Sequence, residues 1–157
     1  MEELIRQKGT SSGRFGDEAL PVVSRARRQR RVLLAEDDVS LRHLLATVLR
    51  ADGYEVVEAG DGLQLLAAVE ATLVVAQVRP ESFVIVADVH MPGLSGLDVL
   101  AVLRCAYAST PVVLITAFPD QEAQAEALEL GAARMLAKPF AIDELRAVVR
   151  RIAPPVG

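Results

Sequence analysis

The segment FVIVADVHMPGLSGLDVL, residues 83–100, changes character at Asp88. The five residues before it are apolar and mostly β-branched or aromatic, the composition of a strand buried on both faces in a parallel sheet covered by helices. Asp88 is therefore expected at the carboxyl end of that strand, the edge where open α/β sheets collect ligands. Pro92, Gly93 and Gly96 break the chain into a tight loop before a helical pattern near Leu97.

Working outward, strand and helix signals alternate from Arg31 to Ile152. Residues 31–35 form an apolar run ending in Glu36-Asp37-Asp38, and Leu41, Leu44, Leu45 and Val48 lie at helical spacing as a core stripe over 39–52, with Gly53 as a stop. The pattern predicts further strands at 54–59, 112–116 and 134–137. It predicts helices at 61–78, 97–107, 120–130 and 142–152. Five strands alternating with five helices imply an α/β fold: a doubly wound five-stranded parallel sheet, (βα)5, in the flavodoxin-like strand order 2-1-3-4-5. Strands one and three are then neighbours, which brings Glu36, Asp37 and Asp88 into one crevice with Thr116 and Lys138 at the same sheet edge.

Three carboxylates at close range raise one another's pKa unless a cation neutralises them. An oxygen-only cluster with open positions suits Mg²⁺. Thr116 and Lys138 can donate to the same anion, so the chemistry implied is attack of Asp88 on phosphorus. Taken singly, each residue has a plainer role: helix capping for the acidic run, an ordinary strand position for Thr116, a solvated amine for Lys138. The function rests on their joint placement. His43, on the first helix, is expected at the surface without a partner.

The whole chain of 157 residues is 52% apolar with 4% aromatics, which suits one soluble domain with an aliphatic core. Its one cysteine, Cys105, falls in an apolar helical pattern and is expected in the core. No apolar run reaches the ~18 residues of a membrane span, and the N-terminus lacks a signal peptide's apolar stretch, so a cytoplasmic protein is expected. Residues 1–31 carry eight Arg or Lys against four acids, which leaves −8 on residues 32–157 within the total of −4. Residues 1–30 are read as a flexible basic extension, 31–153 as the main domain and 154–157 as a short tail. The acidic main domain argues against nucleic acid as its own partner, while the run from Arg25 to Arg31 leaves such a contact open.

The motifs VLLAEDD, VIVADVHMPGLSG, VVLITA and LAKPF, in this order and spacing, resemble the receiver domains of two-component response regulators. The resemblance runs from about Arg31 to Ile152. It implies that Asp88 is the phosphoacceptor, that Glu36 and Asp37 are the acidic metal pair, and that Mg²⁺ is also reached by Asp88 and by the carbonyl of His90. Thr116 matches the switch hydroxyl and Lys138 the active-site amine, with a cis bond before Pro139. The implied role is signalling: phosphoryl transfer from a histidine kinase or phosphotransfer protein, then docking to an effector or a second copy through the face of the fourth helix, fifth strand and fifth helix. Only five residues follow the last helix, so a stand-alone receiver is expected, with no enzymatic activity beyond its own phosphorylation and dephosphorylation.

Several positions depart from the pattern. Glu36 stands where Asp is more usual, and Met135 where an aromatic residue commonly turns inward on activation. The stretch from 61 to 88 is longer than usual, implying an extra turn on the second helix, and His90 and Phe118 flank the site where the family tunes phosphoryl lifetime. Met135 is the one feature that favours an alternative, a receiver-like interaction module that works without phosphate. A dehalogenase-type phosphohydrolase would need an acid where His90 stands, and a flavodoxin relative would need a phosphate-binding loop where Glu36-Asp37-Asp38 would repel phosphate.

Overall fold

The computed structural model describes residues 29–106 and 109–156. The expected basic extension, as far as residue 28, lies outside the described residues, as do residues 107–108 and Gly157. Five strands form one sheet: β1 (Arg31–Ala35), β2 (Glu55–Ala59), β3 (Phe83–Asp88), β4 (Val112–Thr116) and β5 (Arg134–Ala137). Their order is β2-β1-β3-β4-β5 and every pairing is parallel, as the alternating pattern requires.

The helices are α1 (Val39–Ala51), α2 (Gly62–Glu70), α3 (Gly96–Ala106), α4 (Gln121–Glu129) and α5 (Ile142–Ile152). Side chains of each strand alternate between two cores. Leu33, Ile85 and Leu114 pack with Leu65 and Val69 of α2, Leu100 and Leu103 of α3 and Ala127 of α4. On the opposite face Val32, Leu34, Val84, Val86 and Ile115 meet Leu45 and Leu49 of α1 and Leu145 and Val149 of α5. β3 and β4 are buried at every position, which explains their unbroken apolar runs.

Helix starts follow from short polar side chains. Asp38, Asp61 and Asp120 accept from the backbone N–H three residues on, at 3.1, 2.8 and 2.7 Å. Before α3, Ser95 Oγ accepts from Asp98 N while Asp98 Oδ2 accepts from Ser95 N, both at 3.0 Å, a reciprocal cap.

The second helix departs from expectation. It does not run regularly to residue 78: a π-helical turn, Ala71–Val75, follows α2, Gln77 takes a left-handed φ of 54°, and a 3₁₀ turn, Pro80–Ser82, precedes β3. The buried Thr72 donates to Ala68 O at 2.8 Å and accepts from Arg31 Nη1 at 3.1 Å, so two polar contacts fall where the helix widens. Three local expectations are also corrected. Cys105 is exposed, on the outer face of α3. Leu44, expected in the α1 stripe, is 47% exposed, because Leu45, Ala46 and Leu49 supply the face turned to the sheet. His43 is exposed as expected but does have a partner, its Nδ1 lying 3.0 Å from Glu58 Oε1. No helix among the described residues is long and apolar enough to cross a membrane.

Candidate functional site

The parallel register delivers the polar residues to one edge. Ala35 pairs with Ala87, Asp88 with Ile115, and Thr116 with Ala137, so Glu36, Asp37, Asp88, Thr116 and Lys138 all stand at or just beyond the strand ends. Backbone bonds carry the sheet one residue further: Glu36 N donates to Ala59 O, Val89 N to Ile115 O and Lys138 N to Thr116 O, at 3.1, 2.7 and 2.8 Å. These polar side chains are therefore mounted on rigid backbone.

Lys138 Nζ donates to Asp88 Oδ2 at 2.5 Å and to Glu36 Oε2 and Oε1 at 3.0 and 3.2 Å. The other Asp88 oxygen, Oδ1, accepts from His90 N at 2.8 Å, and Glu36 Oε1 also accepts from Asp38 N at 3.2 Å. Glu36 and Asp88 are buried, whereas Asp37 is exposed at the mouth. One carboxylate oxygen from each of Glu36, Asp37 and Asp88 can be chosen so that all three lie within 4.8 Å of one another. Among the described residues this is the only such group of three or more potential metal-ligating side chains, and the His90 imidazole is not part of it. His90 joins the site through its backbone.

Burial, then contact with Asp88, push the Glu36 carboxyl up to about 7 against the lowering effect of Lys138. For Lys138, burial acts to lower the pKa, but hydrogen bonds to Asp88 and Glu36 outweigh it and hold the ammonium above its ordinary range. Three carboxylates around one ammonium leave an excess of negative charge in a partly desolvated crevice. Such a donor set suits a hard divalent cation.

The hydroxyl of the fully buried Thr116 accepts from Phe118 N at 3.1 Å and, among the described residues, makes no hydrogen bond to the side chains of Asp88 or Lys138. Above it the rings of His90 and Phe118 meet edge to face, centroids 5.5 Å apart at 77°, and Phe118 is 68% exposed. The Lys138–Pro139 bond is cis.

Two supports escaped the sequence reading. Arg42 Nη1 donates to Glu36 O at 2.9 Å and so ties α1 to the loop carrying the acidic pair. Gly96 presses on the site's backbone: a Cβ there would stand 2.5 Å from Asp88 O. An arginine on an amphipathic helix carries no distinguishing pattern, but a glycine opening a helix where a better helix former would serve does hint at close approach.

The profile of the response regulator receiver domain family matches residues 32–150. The chain belongs to that family. It is thus a signalling domain of two-component phosphorelay systems, in which Mg²⁺ and phosphoaspartate are typical. The DNA-binding response regulator MtrA of Mycobacterium tuberculosis is 38% identical over 122 residues, 78% of this chain and 50% of that one. The receiver chain therefore spans about half the length of the MtrA regulators it matches. Sporulation initiation phosphotransferase F of Bacillus subtilis is 32% identical over 124 residues, 79% of this chain and 94% of that protein. Among solved structures, the response regulator TrrA of Thermotoga maritima in complex with Mg²⁺ and BeF aligns with a TM-score of 0.64 at 26% identity, covering 78% of this chain and 98% of that one.

Proposed function

We propose that this receiver accepts a phosphoryl group on Asp88 from a histidine kinase or phosphotransfer protein and signals by docking to a partner. The observation that carries the reading is the meeting of Glu36, Asp37, Asp88 and Lys138 at one sheet edge. A carboxylate oxygen of Asp88 attacks phosphorus, a P–O bond forms, and the bond from phosphorus to the donor's leaving group breaks. Mg²⁺ would be held by Glu36, Asp37, Asp88 and the His90 carbonyl, where it supplies positive charge to the phosphoryl oxygens and the attacking carboxylate. Lys138 already neutralises Asp88, and on phosphorylation its ammonium is placed to follow the charge onto the phosphoryl group. Thr116 donates its hydroxyl hydrogen to the same group once it turns from its present bond with Phe118 N. The exposed pair His90 and Phe118 bounds the mouth and limits access of hydrolytic water.

The output surface in this reading is the face of α4, β5 and α5. Leu128 on α4 is 79% exposed, in keeping with a surface that a second chain or an effector covers. MtrA is a DNA-binding regulator by its printed name. The competing reading, an interaction module that works without phosphate, draws on Met135 alone.

Beryllofluoride with Mg²⁺, a mimic of the phosphorylated state, tests the proposal. Amide resonances of His90, Phe118 and Lys138 move when both are present, stay put when Mg²⁺ is withheld, and stay put in Asp88→Asn. Light scattering under the same conditions separates a homodimer, whose mass doubles, from a receiver that docks only to another protein.

A further inference from the structure

At the opposite end of the sheet from the acidic crevice lies a cleft of about 580 Å³. Its polar lining includes Arg30, Arg31, Arg79, Glu55, Gln77 and Ser82. Three arginines and one glutamate line it, the reverse of the charge balance at the strand ends that carry Asp88. The cleft exists because the chain between α2 and β3 is long: the π-helical turn and the left-handed Gln77 set Ala76–Arg79 outside the starts of β1 and β2.

The arginines are incompletely used. Arg31 donates through Nη1 to Thr72 Oγ1 and through Nη2 to Glu55 Oε1, both at 3.1 Å, but its Nε–H is buried with no hydrogen-bond partner among the described residues. Arg79 is extended into solvent, its side chain 82% exposed, with only a loose 4.0 Å contact to Glu81. Arg30 makes no side-chain hydrogen bond or ion pair with another described residue. Guanidinium forks pair best with phosphate or carboxylate oxygens, and Arg30 and Arg79 are the ones left to do so. Val78 and Val156 add an apolar wall beside this charge.

We propose that this cleft is a binding site for a small phosphate-bearing anion, held by Arg30, Arg31 and Arg79 and independent of the aspartate site. Counting Glu55 in the cleft and Glu81 beside Arg79 against the three arginines leaves one positive charge, which favours an anion. The cleft's volume falls in the range of small-ligand sites, with room for an organic group against Val78 and Val156 beyond the phosphates.

The test titrates the full chain with pyrophosphate and, separately, with ATP in Mg²⁺-free buffer, by calorimetry and by ¹⁵N NMR. The proposal expects one saturable site, shifts centred on the amides of Gln77, Arg79 and Ser82, and affinity about tenfold weaker in Arg79→Gln. Arg79 is exposed, so this variant folds normally. Tighter binding of ATP than of pyrophosphate identifies a nucleotide-like ligand that uses the apolar wall; equal binding identifies phosphate chemistry alone. No saturable binding of either probe at millimolar concentration overturns the proposal. So does binding that Arg79→Gln leaves unchanged, or binding whose shifts fall only on residues 25–28 or around Lys138.

Discussion

Lys138 and Asp88, 50 residues apart in sequence, are joined by a hydrogen bond of 2.5 Å between Nζ and Oδ2. The side chain proposed to receive the phosphoryl group thus already rests against the cation that would balance its charge. The same ammonium touches Glu36, so any change in charge at Asp88 is felt across the crevice.

Glu36 gives the apo protein a distinctive pH dependence. Its carboxyl rises from an ordinary 4.5 to about 7 on folding, chiefly through burial. A group raised in this way contributes stability that is full below about pH 4.5 and lost as pH climbs through about 7, with an upper size of about 3 kcal/mol. Denaturant unfolding of the metal-free protein therefore shows falling stability over that window, and Glu36→Gln removes much of the slope. A divalent cation prefers the ionised carboxylate, so stabilisation by added Mg²⁺ grows with pH over the same interval.

Gly96→Ala strains the site from behind. The new methyl would meet Asp88 O at 2.5 Å and Leu114 Cδ2 at 3.2 Å, and the first of these is backbone that cannot rotate away. A loss of about 1–3 kcal/mol is expected in chemical denaturation, together with slower labelling of Asp88 as its carboxylate shifts relative to Lys138. The size of the stability loss distinguishes this from an ordinary helix-start substitution, for which Ala would be neutral or favourable.

Much of the architecture was legible because strand composition and strand position agree. β1, β3 and β4 are the buried runs that the sequence pattern delimits, β5 is an edge strand with only Leu136 buried, and the ends of the four carry Glu36, Asp88, Thr116 and Lys138 to the expected edge. Helical faces were less legible. A run such as Leu44-Leu45-Ala46 supplies more apolar side chains than one face can bury, and only packing selects Leu45 over Leu44. Cys105 misled for the same reason: Leu100 and Leu103 already fill the inner face of α3. The end of α2 was hidden because an apolar sequence such as ATLVVAQV carries no stop signal, while the contacts that Thr72 makes to Ala68 and Arg31 lie at the widened turn. The direct pairing of Glu36 with Lys138 depends on a rotamer, which residue spacing does not encode.

Asp52 and Arg146 couple the end of α1 to α5. Arg146 Nε and Nη2 donate to the two oxygens of Asp52 at 2.8 and 2.7 Å, and this pairing holds the Asp52 carboxyl below its ordinary 3.8 although burial opposes the shift. A lowered carboxyl contributes stability that is present above about pH 4 and lost as pH falls through its folded value. Asp52→Asn is therefore less stable than the parent protein at pH 7, and the gap narrows on acidification to pH 3, as urea midpoints at the two pH values would report.

Met135 is expected to set the sharpness of the switch. It is half-buried on β5, paired in register with Leu114 and packed against the core beneath α2, α3 and α4. A flexible thioether would adapt to a second position of Thr116 at little cost, so the inactive and active-like states are expected to lie close in energy. A minor state of ~10% corresponds to a gap of only about 1.3 kcal/mol. Relaxation dispersion on α4 amides of the unphosphorylated receiver is expected to show exchange, and Met135→Tyr to alter it. Flat profiles in both proteins would make Met135 a passive core residue.

Phosphorylation itself is tested most directly by intact-mass spectrometry after incubation with acetyl phosphate and Mg²⁺. The parent protein should gain the mass of one phosphate, the gain should vanish with chelator, and Asp88→Asn should stay unmodified. Labelling of Asp88→Asn to the same extent, or none in the parent protein, would contradict the assignment of Asp88 as the phosphoacceptor.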